Sequence, residues 1–426
     1  MSKKIAFQLM LAFSFLFFCQ PSFMYAKETI QSRIDQANPG DIVYIEEGSY
    51  DEKLEITKPI ALIGNGHVEL STISIIDAKD VKVQNIRLKG DKREESSAIL
   101  VKNSKDIELT DLTIREFFKG MEVYNAENII IHNNVISGSE GHFSKKGNGI
   151  ILFDTKDIRV FSNHIQSVQD GIYIENDQNS VFKQNEISHS RYGVHLMYSK
   201  GVIVKQNYFH HNVTGIMHMM TSNTTILQNE IENQQDYNGF GVVLYEGNNI
   251  KLKQNELFLN RVGISVQNID HSEIAHNTIA SNQTGIEFIQ YGQSNSFTNN
   301  DIYGNIVSVS SDHRGATLKG NYWDDYSGFD LDNDGFGDTP YQANESFAKL
   351  IVRQKAFQYF FESPSVSALR KMEEKISVNQ NEFVTDENPS VRIQKERGQI
   401  DFHITPFIIG VLWGGGSWII WRRIKY

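Results

Sequence analysis

The chain has 426 residues, with 41 Lys and Arg against 52 Asp and Glu, a formal charge of −11. That length can bury a large core, and only 7 prolines with 40% hydrophobic residues exclude global disorder. An acidic surface of this kind repels phosphate backbones and anionic polysaccharide and attracts cations.

The N-terminus reads as a secretory signal over residues 1–26. Lys3 and Lys4 supply the positive start, an apolar run from Ile5 to Phe18 follows, and Ala26 offers a small residue for cleavage before Lys27. The single cysteine, Cys19, lies inside this segment. Bulky Phe18 before it argues against a lipoprotein site. The mature chain then has no cysteine, which excludes disulfides and thiolate metal sites. After the signal, Ile30, Ile34 and Ala37 share one face of a short amphipathic helix predicted over Thr29 to Ala37. Asn38-Pro39-Gly40-Asp41 ends it by turn chemistry.

The body is repetitive. Asn or Asp followed closely by an apolar residue recurs at Asn163, Asn185, Asn207 and Asn229, and a Gly-apolar phrase at Gly171, Gly193 and Gly215, both at 22-residue spacing. Both markers lengthen at the same two places, near Ser137 to Gly147 and near Gln234 to Asn238. Two markers that slip together belong to one structural unit. Within each unit, segments such as Gly263-Ile-Ser-Val-Gln267 alternate apolar and polar residues, the pattern of strands with one buried face. Strands this short need partners, and coiling each onto its copy in the next unit supplies them. The expected fold is an all-β, right-handed parallel β-helix solenoid over residues 27–345, with helical caps. About eleven rungs at roughly 4.8 Å each give a stack of about 50 Å. Asn at the turns tolerates left-handed backbone and can form ladders along the stack.

Beyond the repeats, Asp330, Asp332, Asp334 and Asp338, with Gly335 at the sixth position, match a calcium loop. Position twelve is Tyr341, so the usual bidentate glutamate is missing; the competing reading is an Asp/Gly-rich turn that ends the solenoid. Residues 346–376 are helix-compatible and form a candidate C-terminal cap, and the polar residues 377–401 read as a linker. Residues 402–426 read as a transmembrane anchor with a basic cytoplasmic tail. Ile404 to Trp421 is uncharged, Trp413, Trp418 and Trp421 suit an interface, and Arg422, Arg423 and Lys425 follow. The alternative for this stretch is a terminal strand or helix packed on the solenoid end. Without Lys3, Lys4 and the three tail cations, 36 basic residues face all 52 acidic ones, so the exterior body carries −16.

The alternation also tells which side chains point out of the coil. After Gly193 these are His195 and Met197; after Gly215 they are Met217 and Met219. One histidine and three methionines thus share an outward patch on adjacent rungs, about 5 Å apart between rungs and about 7 Å along each strand. His218 falls on an inward position between them, and His189 and His211, 22 residues apart, stack near the same edge. Thioether plus imidazole without thiolate is a soft ligand set that suits Cu(I) outside the cytoplasm. The alternative is apolar packing of the methionines against the C-terminal segment or a partner. No stacked acid beside a Lys or Arg base, nucleophile arrangement or phosphate loop stands out, so the chain reads as a non-enzyme.

Two sets of residues resemble known proteins. Asn38-Pro-Gly-Asp-Ile-Val-Tyr-Ile-Glu-Glu-Gly-Ser-Tyr50 and Ile60-Ala-Leu-Ile-Gly64 resemble the opening of pectate-lyase-like β-helices, which speaks to fold only. Gly320-Asn-Tyr-Trp-Asp324, the run from Phe329 to Tyr341, Glu362-Ser-Pro-Ser-Val366 and Gly193-Val-His-Leu-Met-Tyr-Ser199 resemble the NosD family, from about residue 28 to about 375. That resemblance implies an extracytoplasmic, copper-binding accessory factor in the maturation of nitrous oxide reductase. It implies Cu(I) held transiently and work with the ABC transporter of NosF and NosY, docked on NosY. It further implies copper received from the chaperone NosL and passed toward the reductase NosZ. His195 and Met197 match the family phrase, and Met217 and Met219 follow one rung on. The C-terminal span, which many relatives lack, departs from the pattern and suggests a protein tethered to the cell membrane. The other class of function is a cell-surface polysaccharide lyase or carbohydrate-binding β-helix.

Overall fold

In the computed structural model, the described residues are 29–90, 96–139, 141–292, 294–312, 317–343, 364, 365, 368 and 384–394. The chain winds into an all-β parallel solenoid of about 12 turns. One coil shows the plan. Strands Tyr192–Met197, Ile203–Lys205 and Tyr208–His210 form three faces. Each pairs in parallel with its copy in the next coil, Thr214–Met219, Ser222–Leu227 and Glu230–Glu232. Inward Ile, Val, Leu and Phe residues from every coil stack into one continuous core, with Val194, Leu196, Val204 and Phe209 fully enclosed.

Each corner is turned by a residue in the left-handed region. In this coil they are Tyr198 (φ 50°), Gln206 (φ 55°) and His211 (φ 55°). The Asn phrase marks the position after the turn. Asn207 is buried, its Nδ2 donates to the Phe182 carbonyl at 3.0 Å and to Asn229 Oδ1 at 2.9 Å, and its own Oδ1 accepts from the Asn185 backbone N–H and Nδ2, both at 3.0 Å. The same pattern runs from Asn134 to Asn321. The expected ladder therefore exists, but its asparagines do not adopt the left-handed conformation themselves. The preceding residue does, and it varies freely among Gln184, Gln228, Ser162 and His276.

The Gly phrase has a different cause. A Cβ on Gly193 would lie 2.5 Å from the Gly215 carbonyl oxygen and 2.5 Å from the Phe209 ring. Glycine recurs because the next coil and the inward side chain of the same coil leave no room.

At the N-terminal end, helix Ile30–Gln36 buries Ile30 and Ile34 over the first rung and is capped by Thr29, whose hydroxyl accepts from the Ser32 N–H. The far end differs from expectation. Within the stretch 377–401 read as a linker, residues 384–394 close the solenoid. Thr385–Asp386 pairs with Leu318 and with Tyr341–Gln342, and Asp386 is fully enclosed. Its carboxylate ends the amide ladder, accepting from Asn321 Nδ2 at 2.8 Å and Trp323 Nε1 at 3.2 Å. A polar segment looks like a tether until Asp386 finds the unsatisfied last rung. The candidate cap 346–376, apart from positions 364, 365 and 368, the signal 1–26 and the anchor 402–426 lie outside the described residues. No helix among the described residues is long and apolar enough to cross a membrane.

Candidate metal site on the glycine-strand face

The outward face of the strands that begin with the Gly phrase carries the candidate ligands. Parallel pairing sets His195 beside Met217 and Met197 beside Met219, with Tyr173 and Glu175 one coil earlier and Val243 and Tyr245 one coil later. The four residues are thus neighbours, as the register predicts.

His195 departs from expectation in one respect. It points away from the core yet is only 7% exposed. Tyr173 and Tyr192 pack edge-on against its ring at 5.2 and 4.9 Å. Its Nδ1 lies 3.2 Å from Asp170 Oδ2, and Asp170 is gripped by Arg191 through Nε at 2.8 Å and Nη2 at 2.7 Å. Burial pushes the Asp170 carboxyl up, but the hydrogen bonds from His195 and Arg191 outweigh it and hold it below its ordinary value. An ionised Asp170 fixes the proton on Nδ1 and leaves Nε2 as a lone pair. That Nε2 is buried and has no hydrogen-bond partner among the described residues. A carboxylate behind one ring nitrogen with the other left free is the arrangement that metal-ligating histidines use.

The methionines are half-buried. Met197 Sδ lies 3.6 Å from the Tyr173 hydroxyl, which also donates to Glu175. Met217 and Met219 line a pocket of about 420 Å³ together with Tyr192, Phe240, Phe143 and Asn238. Phe143 and Asn238 come from the two insertions that lengthen the repeat. The two places where the sequence markers slip therefore wall one pocket. His195 and Met197 do not line it and lie on the neighbouring coil.

Three expected ligands belong elsewhere. His218 is fully enclosed, its Nε2 is 3.1 Å from Thr224 Oγ1, and burial lowers its pKa to about 4. It faces the core and cannot reach an ion on the outer face. His189 and His211 do stack, with ring centres 5.4 Å apart, but at the corner preceding these strands. They are joined there by His210, which the 22-residue spacing did not reveal because its counterparts are Ser188 and Glu232.

In the Asp-rich loop, carboxylate oxygens of Asp330, Asp332 and Asp338 lie within 4.8 Å of one another. Asp334 is not in this group; its carboxylate accepts from the Phe336 N–H at 2.8 Å. Tyr341, at the position where a calcium loop carries glutamate, is buried and stacks on Trp323 at 4.4 Å. Sequence reasoning also missed the Arg191–Asp170–His195 chain, because its members sit on neighbouring coils at unequal offsets of 21 and 25 residues.

Fold and site together define a parallel β-solenoid with a carboxylate-backed histidine beside a methionine cluster. The chain belongs to the NosD family: a family model described as "Periplasmic copper-binding protein (NosD)" matches residues 136–328, and a curated member is 32% identical over 296 residues. That relative is the "Probable ABC transporter binding protein NosD" of Stutzerimonas stutzeri, and the match covers 65% of this chain and 68% of it. The protein of the same description from Pseudomonas aeruginosa is 30% identical over 127 residues, 29% of this chain and 30% of that one. Among solved structures, bacteriophage CBA120 tailspike protein 3 matches with a TM-score of 0.57 at 11% identity, over 69% of this chain and 54% of that one. A family 6 alginate lyase in complex with a trisaccharide matches at 0.54 and 13% identity, over 69% and 81%. At such identities the shared feature is the fold.

Proposed function

We propose that this protein is an exported copper-handling accessory factor that holds Cu(I) at His195, Met197, Met217 and Met219. In this reading it works with an ABC transporter, docking on NosY of the NosF–NosY pair, and receives copper from NosL for the copper centre of the reductase NosZ. Residues 402–426 anchor it to the cell membrane. The observation that carries the reading is the buried Nε2 of His195, which has no partner among the described residues, on a ring backed by Asp170 and set one coil from two methionines that line a pocket. Family membership supports the copper and transporter parts. The Asp330, Asp332 and Asp338 cluster takes the role of a structural calcium site.

The Asp170–His195–Tyr173 cluster also favours a second reading, general acid–base chemistry on a polysaccharide, since a carboxylate–imidazole pair beside a tyrosine can move protons. The three methionines on the same face have no role in it. The test is anaerobic titration of the full chain with Cu(I) against a chromophoric chelator. Wild type binds one Cu(I) tightly, and changing Met197, Met217 and Met219 together to Ser weakens it by about 100-fold or more while the melting temperature changes little. A large loss of stability with unchanged Cu(I) affinity overturns the proposal in favour of packing. Turnover of an uronate polymer would establish the second reading.

A further inference from the structure

A second group of metal-ligating side chains lies at the corner before the glycine-strand face. His210 is half-buried; its ring stacks on Tyr208 at 4.5 Å. Its Nε2 lies 3.2 Å from Glu186 Oε1, and the other Glu186 oxygen meets His164 Nδ1 at 3.2 Å. With a carboxylate at Nε2, the His210 proton sits there and Nδ1 carries a lone pair. That Nδ1 lies 3.0 Å from Nδ1 of His211. Two nitrogens each about 2.0–2.1 Å from one ion are separated by roughly that distance. His189 stacks on His211 with an angle of 4° between the rings and supplies a third imidazole after a rotation of its exposed side chain.

Nothing in the fold asks for histidine here. The left-handed corner position held by His189 (φ 54°) and His211 (φ 55°) is Ser167, Asn233, Leu259 and Ser281 in other coils.

We infer that His189, His210 and His211, with Glu186 behind His210, form a second metal site for a divalent ion of the Cu(II) or Zn(II) class. All-imidazole ligands suit these borderline ions, whereas the methionine patch suits Cu(I). The two sites therefore separate by oxidation state, and this inference does not depend on the Cu(I) reading.

The test uses the full chain titrated with Zn(II) alone, and with Cu(II) alone in the absence of reductant. The variant His210→Gln with His211→Asn removes two ligands while placing Asn at a left-handed position it tolerates. Wild type should bind Zn(II) at this site about 10-fold or more tightly than the variant, and Cu(II)-loaded wild type should show nitrogen superhyperfine splitting that the variant lacks. Changing Met197, Met217 and Met219 to Ser should leave both signals intact. Equal Zn(II) affinity in wild type and the histidine variant overturns the inference. So does a Cu(II) spectrum with oxygen ligands only, or loss of the same equivalent in the methionine variant.

Discussion

Replacing Asp170 with Asn is the most informative single change. The carboxylate is fully enclosed and holds two donors, Arg191 at 2.7 and 2.8 Å and His195 Nδ1 at 3.2 Å. Asparagine keeps the shape but offers an amide donor toward one of them. If the amide N–H₂ faces the ring, Nδ1 becomes the acceptor and the proton moves to Nε2, the atom that must bind the ion. Loss of such a carboxylate costs about 10- to 100-fold in metal affinity, or about 1.4–2.7 kcal/mol. The fold also suffers, because Arg191 loses its countercharge. A broken buried pair costs about 3–5 kcal/mol, but the Arg191 side chain is 29% exposed, so about 1–3 kcal/mol is expected once screening is allowed for. Since the folded-state pKa of Asp170 is depressed, its stabilisation is present at neutral pH. It is lost as pH falls through and below the ordinary carboxylate range, and the variant should lack that part of the acid sensitivity. The assay is Cu(I) competition titration alongside thermal melts across pH. A variant that melts lower at neutral pH yet binds Cu(I) as tightly as wild type would refute the claim that Asp170 prepares His195.

Two further changes probe the scaffold. Burial pushes the Asp177 carboxyl up to about 6, against hydrogen bonds from Thr155 and Ser180 that lower it, and its Oδ2 has no partner among the described residues. Its charged form destabilises the fold above pH ~6, and stability is regained as pH falls toward the unfolded value. Asp177→Asn should therefore stabilise the protein by about 1–2 kcal/mol near neutral pH, after the unpaired amide is allowed for, and by nothing near pH ~4; a neutral-pH melt that does not rise counts against it. Asn207→Ala leaves the buried Asn185 N–H without its acceptor and removes the amide hydrogen bonds to the Phe182 carbonyl, to Asn229 and from Asn185 Nδ2, so denaturant unfolding should show a loss of about 3–5 kcal/mol. A loss under ~1 kcal/mol would mean that the ladder is ornamental to stability.

Much of this is legible in the sequence. The 22-residue period gave the coil, its slips gave both insertions, and the alternation after Gly193 and Gly215 placed His195, Met197, Met217 and Met219 side by side. What periodicity cannot supply is diagonal reach. Arg191 contacts Asp170 across a coil boundary, and the orphaned Nε2 follows from that contact. Nor does it report what covers an outward side chain, so it turns His195 out of the coil without showing that Tyr173 and Tyr192 enclose it. His210 was hidden because its column holds Ser and Glu in the adjacent coils. Residues 384–394 were hidden because the partner of Asp386, the end of the Asn ladder, exists only once the ladder is built.

The central claim is that the His195–methionine face is a Cu(I) site. Copper X-ray absorption on the full chain loaded with one equivalent of Cu(I) tests it most directly. The account predicts a shell of two or three sulfur scatterers with one imidazole, in which the imidazole signal is lost in His195→Ala and the sulfur signal in the Met197, Met217 and Met219 to Ser variant. A first shell of nitrogen and oxygen alone, unchanged by either substitution, would contradict it.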